Sequence, residues 1–483
     1  MNQIMNILKI ATLTVCCTLT FSCVVPKRAA LPELKPLPDH FAYDSSRVQA
    51  PLLSRDSFFK DPHLKQLLNN VLDHNPDMHI ALQRIATAGA WLMSSRGALL
   101  PAISLGANAS ATHFGKYTME GVGNFDTNLS PNIDDDQKIG TSPTPDFWLG
   151  INASWEADLW GKLRAQKEGA RRRFLASVQG ADMVRSMLVA QTATLYYELV
   201  MLDREQAVLE ENLGLQERAL EIVTVQKEAG RATELAVQQF KAQGYSTKAA
   251  LRAIKQRIAE ATNELNALAG RYDGSITRDA LQPLDQLFHP QPGSGVPAGL
   301  LRQRPDIRQA ESQLLAAHAD LAAARAAFFP SVNISAYTAL NAFKGSLLLS
   351  GASLGYQLLG GLTAPVFQKN QLRAQHRLAT AQQQESYYQY ERSVLNAYKE
   401  VINQMSGIRN LAQTDSLKQL EVDALSNGIG ISEELYLTGY ASYIEIVAAQ
   451  KSKMEAELQL IGVKRDEIYA FINLYKSLGG GWR

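Results

Sequence analysis

Residues 331–340 read SVNISAYTAL, and their side chains sort by parity. Val332, Ile334, Ala336 and Leu340 share one face, while Ser331, Asn333, Ser335 and Tyr337 share the other. A period of two marks a β-strand whose faces meet different surroundings. Three more segments repeat the pattern. In 102–112, Ile103, Leu105, Ala107, Ala109 and Ala111 oppose Ser104, Asn108, Ser110 and Thr112; in 147–155, Phe147, Leu149, Ile151, Ala153 and Trp155 oppose Trp148, Gly150, Asn152 and Ser154. In 352–359, Ala352, Leu354, Tyr356 and Leu358 oppose Ser353, Gly355 and Gln357. About ten residues, apolar on one side and with aromatics near the ends, match a transmembrane barrel strand. A half-buried strand of a soluble protein alternates in the same way. Here, however, the polar faces carry Ser, Asn, Gln and Gly without charge, as a water-filled lumen allows.

Four strands cannot seal a pore, since membrane barrels need about eight or more and lipid tolerates no open sheet edge. Strands that span a membrane here must therefore share a barrel with other copies of the chain. Three copies supply twelve strands, and the same threefold axis would bundle any long helices into a tube.

The rest of the sequence supplies those helices, twice. Shifted by 229 positions, 75–101 lies over 304–330, with identities at Pro76/Pro305, Asp77/Asp306, Ala81/Ala310, Leu92/Leu321, Arg96/Arg325, Ala98/Ala327 and Pro101/Pro330. Shifted by 209, Leu163-Arg164-Ala165-Gln166 lies over Leu372-Arg373-Ala374-Gln375, Gly230 over Gly439, Leu265 over Leu474 and Gly270 over Gly479. The chain is a tandem duplication, and the change of shift (229 − 209 = 20) predicts a longer loop in the first half, between about 113 and 146. Each half opens with a helix (76–98 and 305–327) started by a proline, whose missing N–H is harmless there. Proline is then absent from 146–282 and 366–483, stretches rich in Ala, Gln, Glu, Leu and Lys. Leu188, Leu195, Leu202 and Leu209 stand seven apart, with Leu199 and Leu213 four beyond two of them; this is the spacing of helices packed along one another. A helix unbroken from about 162 to 227 would be about 100 Å long. The layout is a first repeat over 62–282, a linker over 283–303 and a second repeat over 304–483.

Composition narrows the function. There are 48 basic and 47 acidic residues, a formal charge of +1, with 46% apolar and 20% charged residues. That lacks the basic footprint of a nucleic-acid binder. Three cysteines (Cys16, Cys17 and Cys23) make no disulfide scaffold. Beyond the first two dozen residues no apolar run approaches the length of a spanning helix. His74 and His79 are five apart, off a shared helical face, and neither a Gly-x-Ser-x-Gly elbow nor a phosphate-cradling loop occurs. No catalytic residue, metal ligand or cofactor is expected, so energy for any transport must come from a partner.

The first 23 residues, MNQIMNILKIATLTVCCTLTFSC, place Lys9 before an apolar run from Ile10 to Phe21. This is a signal-peptide core, giving a leader over 1–22. Ser22 precedes Cys23, and Pro26, Pro32, Pro36 and Pro38 follow in a tether reaching about 61. The arrangement resembles a bacterial lipoprotein site, cut before Cys23 so that its thiol carries diacylglycerol. A plain cleaved signal with an unmodified Cys23 is the other reading, since Thr20 stands where Leu is commonest.

Several motifs then carry a family likeness. Val296-Pro297-Ala298-Gly299-Leu300-Leu301, Arg304-Pro305-Asp306-Ile307, Ala310-Glu311 and Arg325-Ala326-Ala327-Phe328-Phe329-Pro330 are followed by Tyr436-Leu437-Thr438-Gly439, Ala449-Gln450 and Leu478-Gly479-Gly480-Gly481-Trp482. In this order the chain resembles the TolC-type outer-membrane factors, and within them the NodT-like efflux lipoproteins. The resemblance implies an α plus transmembrane β fold: a homotrimer sharing a twelve-stranded barrel in outer-membrane lipid, with an α-helical tunnel in the periplasm. It also implies a passive exit channel of a tripartite pump for drugs or other small molecules. A periplasmic adaptor (membrane-fusion) protein and a proton-driven inner-membrane efflux transporter would be its partners. The helix reversals at Gly230 and Gly439 would form the periplasmic tip where the adaptor docks, glycine suiting the positive φ of a tight reversal. Glu445, six past Gly439, would be the channel gate; Ala448 stands where some members place a second acid. Three carboxylates about one axis would repel and attract cations. The same architecture could serve type I protein secretion, and a non-conducting coiled-coil lipoprotein bracing the envelope is the reading from a different class.

Overall fold

The computed structural model describes Pro38, residues 54–279 and residues 298–482. The expected leader, Cys23, the tether up to residue 53 apart from Pro38, and residues 283–297 of the linker lie outside the described residues. α1 (Arg55–Phe58) stands ahead of the first repeat, in which α2 (Pro62–His74) and α3 (Pro76–Gly97) precede β1 (Ala102–Thr112). A short α4 (Met119–Thr127) leads to β2 (Thr144–Ala157), and α5 (Lys162–Glu228) and α6 (Glu234–Leu268) follow. The second repeat runs α7 (Pro305–Ala326), β3 (Ser331–Ala342), β4 (Leu354–Thr363), α8 (Gln371–Leu437) and α9 (Tyr443–Ser477).

From α3 onward the long helices and strands recur in the same order in both halves, whereas among the described residues α2 and α4 have no matching α-helix in the second. α3 and α7 have 22 residues each, α5 and α8 have 67 each, and α6 and α9 have 35 each. The strand connections differ, residues 113–143 in one half and 343–353 in the other, by 31 − 11 = 20 residues. That is the loop excess read from the shifted alignments. Three of the four strands differ in extent from the sequence pattern. β2 starts earlier and ends later than 147–155, β3 runs two residues past 340, and β4 occupies 354–363 rather than 352–359. Ala352 and Ser353 belong to a 3-10 turn instead, and Gly360-Gly361 hid the continuation to Leu362 by interrupting the alternation.

The chain divides into two compact units. Ala88–Phe174 with Gln313–Ser386 carries the sheet, and Leu175–Ser312 with Tyr387–Arg483 and the described part of Pro32–Thr87 forms the other. In the sheet unit the strands run in the order β1-β2-β3-β4, every neighbouring pair antiparallel. Of the basic run 171–173, Arg171 and Arg172 pair with Glu168 on the exposed helix side, whereas Arg173 pairs with Asp320 of α7.

In the helical unit Leu188, Leu202 and Leu209 of the seven-spaced set are fully buried, as is Leu199, each contributing about 1.5–3 kcal/mol of apolar burial, while Leu195 and Leu213 are partly buried and pack against the core. Tyr196 donates to Asp61 Oδ2 at 2.6 Å, and Asp61 caps α2 through the backbone N–H groups of His63 and Leu64. Phe58 stacks on Tyr475 at 4.2 Å between ring centroids. Both repeats are tied shut in the same place. Asn75 donates to Leu268 O at 2.9 Å, and Arg304 donates to Ser477 O at 2.7 Å; Leu268 and Ser477 are themselves 209 apart. Each tie joins the start of a repeat's first long helix to the end of its last. Arg304 also forks onto Asp306 (3.0 and 2.8 Å) and reaches Glu400 (2.8 Å). This is the structural role of the Arg-Pro-Asp motif.

Candidate functional site

The sheet's register brings the alternating residues into two continuous faces. Across the four strands Leu105, Ile151, Thr338 and Tyr356 stand in one row, flanked by Ile103, Ala153, Ala336 and Leu358 and by Ala107, Leu149, Leu340 and Leu354. The opposite face shows Ser104, Asn152, Tyr337 and Gln357 in one row and Ala102, Ser154, Ser335 and Leu359 in the next. Among the described residues nothing covers the middle and outer strands of the apolar face: Leu105 is 75% exposed, Tyr356 84% and Leu358 76%. An apolar surface of that extent on a lone chain marks contact with lipid or with another molecule. The polar face cups a cleft of about 270 Å³. Aromatics guard the helix end of the strands, where Trp155 donates to Leu99 O at 3.0 Å and Trp160 donates to Pro330 O at 2.6 Å while stacking on Phe329. Such half-polar rings suit a membrane interface. At the loop end, the Lys344 ammonium donates to the carbonyls of Asp135 and Asp136, joining the two strand connections across the acidic run 134–136.

Outer edges of β1 and β4 have no partner strand among the described residues. Because the strands alternate in direction, β4 runs opposite to β1, so β4 of one copy can pair antiparallel with β1 of another. No helix of the described residues is long and apolar enough to cross a membrane.

The helix reversals lie in the other unit and are built alike. Gly230 has φ +70° and Gly439 φ +82°. In each, the glycine N–H donates to the carbonyl three back (Lys227 or Tyr436), and the next residue's N–H donates to the carbonyl five back (Gln226 or Leu435). This double closure ends a helix on a left-handed residue. Thr233 and Ser442 then cap α6 and α9. The two reversals pack together: Tyr443 and Val447 rest on the cluster of Val223, Ala236, Val237 and Phe240.

Glu445 lies in the first turn of α9, exposed, and its carboxylate is already engaged. It accepts from the Ser442 backbone N–H at 2.9 Å and from the Ser442 hydroxyl. That completes a capping box, and the bond from the Ser442 hydroxyl holds the Glu445 carboxyl below the usual glutamate range. Sequence reasoning missed a second feature here. The Tyr436 hydroxyl donates to Gln226 Oε1, tying the second reversal to the first. Its only signal in the sequence is a tyrosine within one helical turn of Gly439.

The comparisons with known proteins agree with this geometry. The model of the family described as outer membrane efflux protein matches residues 67–271 and 296–480, one match in each repeat. The cation efflux system protein CusC of Escherichia coli (strain K12) is 28% identical over 425 residues, 88% of each chain. The probable outer membrane lipoprotein SilC of Salmonella typhimurium is 26% identical over 453 residues, 92% of this chain and 93% of SilC. A crystal structure of CusC superposes with a TM-score of 0.82 at 26% identity, covering 95% of this chain and 100% of that one. Helical-tunnel and barrel-strand architecture is thus shared over nearly the whole length, and the chain belongs to the outer membrane efflux protein family, as an exit channel of the cell outer membrane.

Proposed function

We propose that the chain is one of three identical protomers of a passive duct that carries drugs or other small molecules outward as the last part of a tripartite pump. One observation supports this above others: a two-faced sheet, apolar on one side and uncharged-polar on the other, ends in two unpaired edges of opposite direction. In lipid those edges must be closed by further copies, and three copies reach twelve strands. The duct itself does no chemistry. Its energy comes from an inner-membrane transporter, proton-driven, reached through a periplasmic adaptor that docks on the reversals at Gly230 and Gly439.

Glu445 serves as the gate. Its exposure on the first turn after the second reversal, beside the Tyr436–Gln226 tie, supports that reading. The capping box orients its carboxylate, and three copies about one axis would attract cations to the constriction. Cys23 carries the lipid anchor, in keeping with the lipoprotein name of SilC. The repeats 62–282 and 304–483 are the units that were duplicated.

Mass measurement in detergent combined with planar bilayers tests the reading. A particle of three 53.1 kDa chains, less the leader, that inserts with stepwise conductance supports it. A monodisperse single chain that stays in solution without detergent overturns it.

A further inference from the structure

The sheet's polar face is more than a wetted wall. Its central row runs Ser104, Asn152, Tyr337 and Gln357, one residue from each strand at one level. All four line the 270 Å³ cleft, with Ser154 and Ser335 from the adjoining row. Among the described residues none of these six side chains hydrogen-bonds to protein, so two amides, a phenol and three hydroxyls face the cleft with their bonding capacity unused. The row on the other side is Gly106, Gly150, Ala339 and Gly355. Over it leans Trp148 from the level beyond: its Cζ3 lies 2.9 Å from where a Cβ on Gly106 would stand. Gly106 therefore leaves room that the indole occupies. Charged side chains are absent from all three rows.

We propose that this face is a solute-binding belt that takes planar, uncharged aromatic compounds bearing carbonyl or amide acceptors. The indole of Trp148 and the phenol of Tyr337 offer ring faces for stacking. Asn152 and Gln357 offer N–H donors to the acceptors of the stacked ring. Without a fixed charge, the belt does not select on the sign of the solute. The inference rests on the channel reading above and adds a substrate class to it.

The full chain reconstituted in planar bilayers tests it, with caffeine as a neutral planar probe and glucose as a neutral non-aromatic control of similar mass. Current is read at rising probe concentration after correction for bulk conductivity. Caffeine should reduce wild-type current saturably, and glucose should not. Trp148→Ala should weaken the apparent caffeine affinity about five- to tenfold, as expected for loss of one stacking partner. Trp148→Phe, which keeps a ring, should restore most of it. Tyr337→Leu is the second variant and should weaken affinity about as much, so the test survives a Trp148→Ala protein that does not assemble. Conducting Trp148→Ala and Tyr337→Leu channels blocked by caffeine as strongly as wild type would overturn the belt and leave the channel reading intact. The same holds for a wild-type response to caffeine that only matches glucose. Wild-type protein that gives no conductance steps at all would overturn the channel reading and the belt with it.

Discussion

Leu105 and Ser104 are neighbours in the chain, yet the register puts them on opposite faces of β1, in the two central rows of the sheet. Replacing each with arginine asks which face meets lipid. Arginine on the lipid face near the bilayer midplane costs about 2–4 kcal/mol per chain. In a threefold barrel Leu105→Arg recurs three times, so the assembled channel loses about 6–12 kcal/mol, comparable to the whole stability of a typical domain. Ser104→Arg puts the same charge on the polar face, where water reaches it, and should cost insertion almost nothing. Its effect is electrical: three guanidinium groups about one lumen attract anions within a Debye length, about 10 Å at 0.1 M salt and 3 Å at 1 M. The assay is the amount of heat-modifiable trimer in the outer-membrane fraction, followed by reversal potentials across a KCl gradient. Leu105→Arg should leave little trimer. Ser104→Arg should assemble at wild-type levels and shift selectivity toward chloride at 0.1 M, with the shift fading at 1 M. Normal assembly of Leu105→Arg together with failure of Ser104→Arg would refute the assignment of the two faces.

Other consequences follow from the helical unit. Tyr436→Phe removes the hydroxyl that ties the reversals at Gln226 while keeping the ring. At about 1 kcal/mol for one net hydrogen bond, the loosened state should gain about fivefold, read as open probability in single-channel records. Glu445→Ala should enlarge the resting conductance and weaken block by divalent cations; unchanged conductance would remove Glu445 from the gate. Because Ser442 holds the Glu445 carboxyl below its ordinary range, the cap is fully present above the ordinary glutamate value and is lost as pH falls through its lowered one. Hydrogen exchange at the first amides of α9 should therefore accelerate only in acid below the usual glutamate range. Arg304→Leu strands the carboxylates of Asp306 and Glu400 and the carbonyl of Ser477. Removing one side of a buried pair costs about 3–5 kcal/mol, but Asp306 and Glu400 are partly exposed, which brings the expected loss to about 2 kcal/mol in detergent denaturation. Arg304→Lys should recover little, since one ammonium cannot replace a guanidinium fork.

Periodicity made the sheet legible because parity is a local property: each strand carries its own alternation, and the register only had to align four such records. Where the pattern failed, the cause was equally local. β2 begins at Thr144 and Pro145, whose nitrogen has no proton to give; Pro145 faces Ala111 of β1, but pairing with β3 begins only at Phe147. The polar ties were illegible for the opposite reason. Asn75 and Leu268 are 193 residues apart, and Arg304 and Ser477 are 173 apart, so nothing in either local sequence names the partner. Glu445 falls between these cases. Ser442-Tyr443-Ile444-Glu445 spells a capping box within four consecutive residues, so the bond that orients the carboxylate is local and legible, whereas a role as a gate depends on other copies of the chain.

Two helix ends, at Gly230 and Gly270, allow backbone strain to be separated from steric contact. Gly230 and Gly270 both close a helix with a left-handed residue, at φ +70° and +67°, and the same two carbonyl closures end each helix. Any non-glycine residue there meets the left-handed penalty, about 1–2 kcal/mol. Their surroundings differ. A Cβ on Gly230 would meet nothing within 4 Å, whereas one on Gly270 would stand 2.5 Å from the backbone oxygen of His74. That oxygen sits beside Asn75, whose amide ties down Leu268, so it cannot retreat without loosening the tie. Gly230→Ala should therefore lose only the conformational penalty, and Gly270→Ala should lose that plus the cost of displacing a fixed backbone, about 1–3 kcal/mol more. Denaturation midpoints of the two variants, measured in the same detergent, give the difference directly. Equal midpoints would mean that the start of α3 yields freely, and the tie between the ends of the repeat would then hold nothing in place.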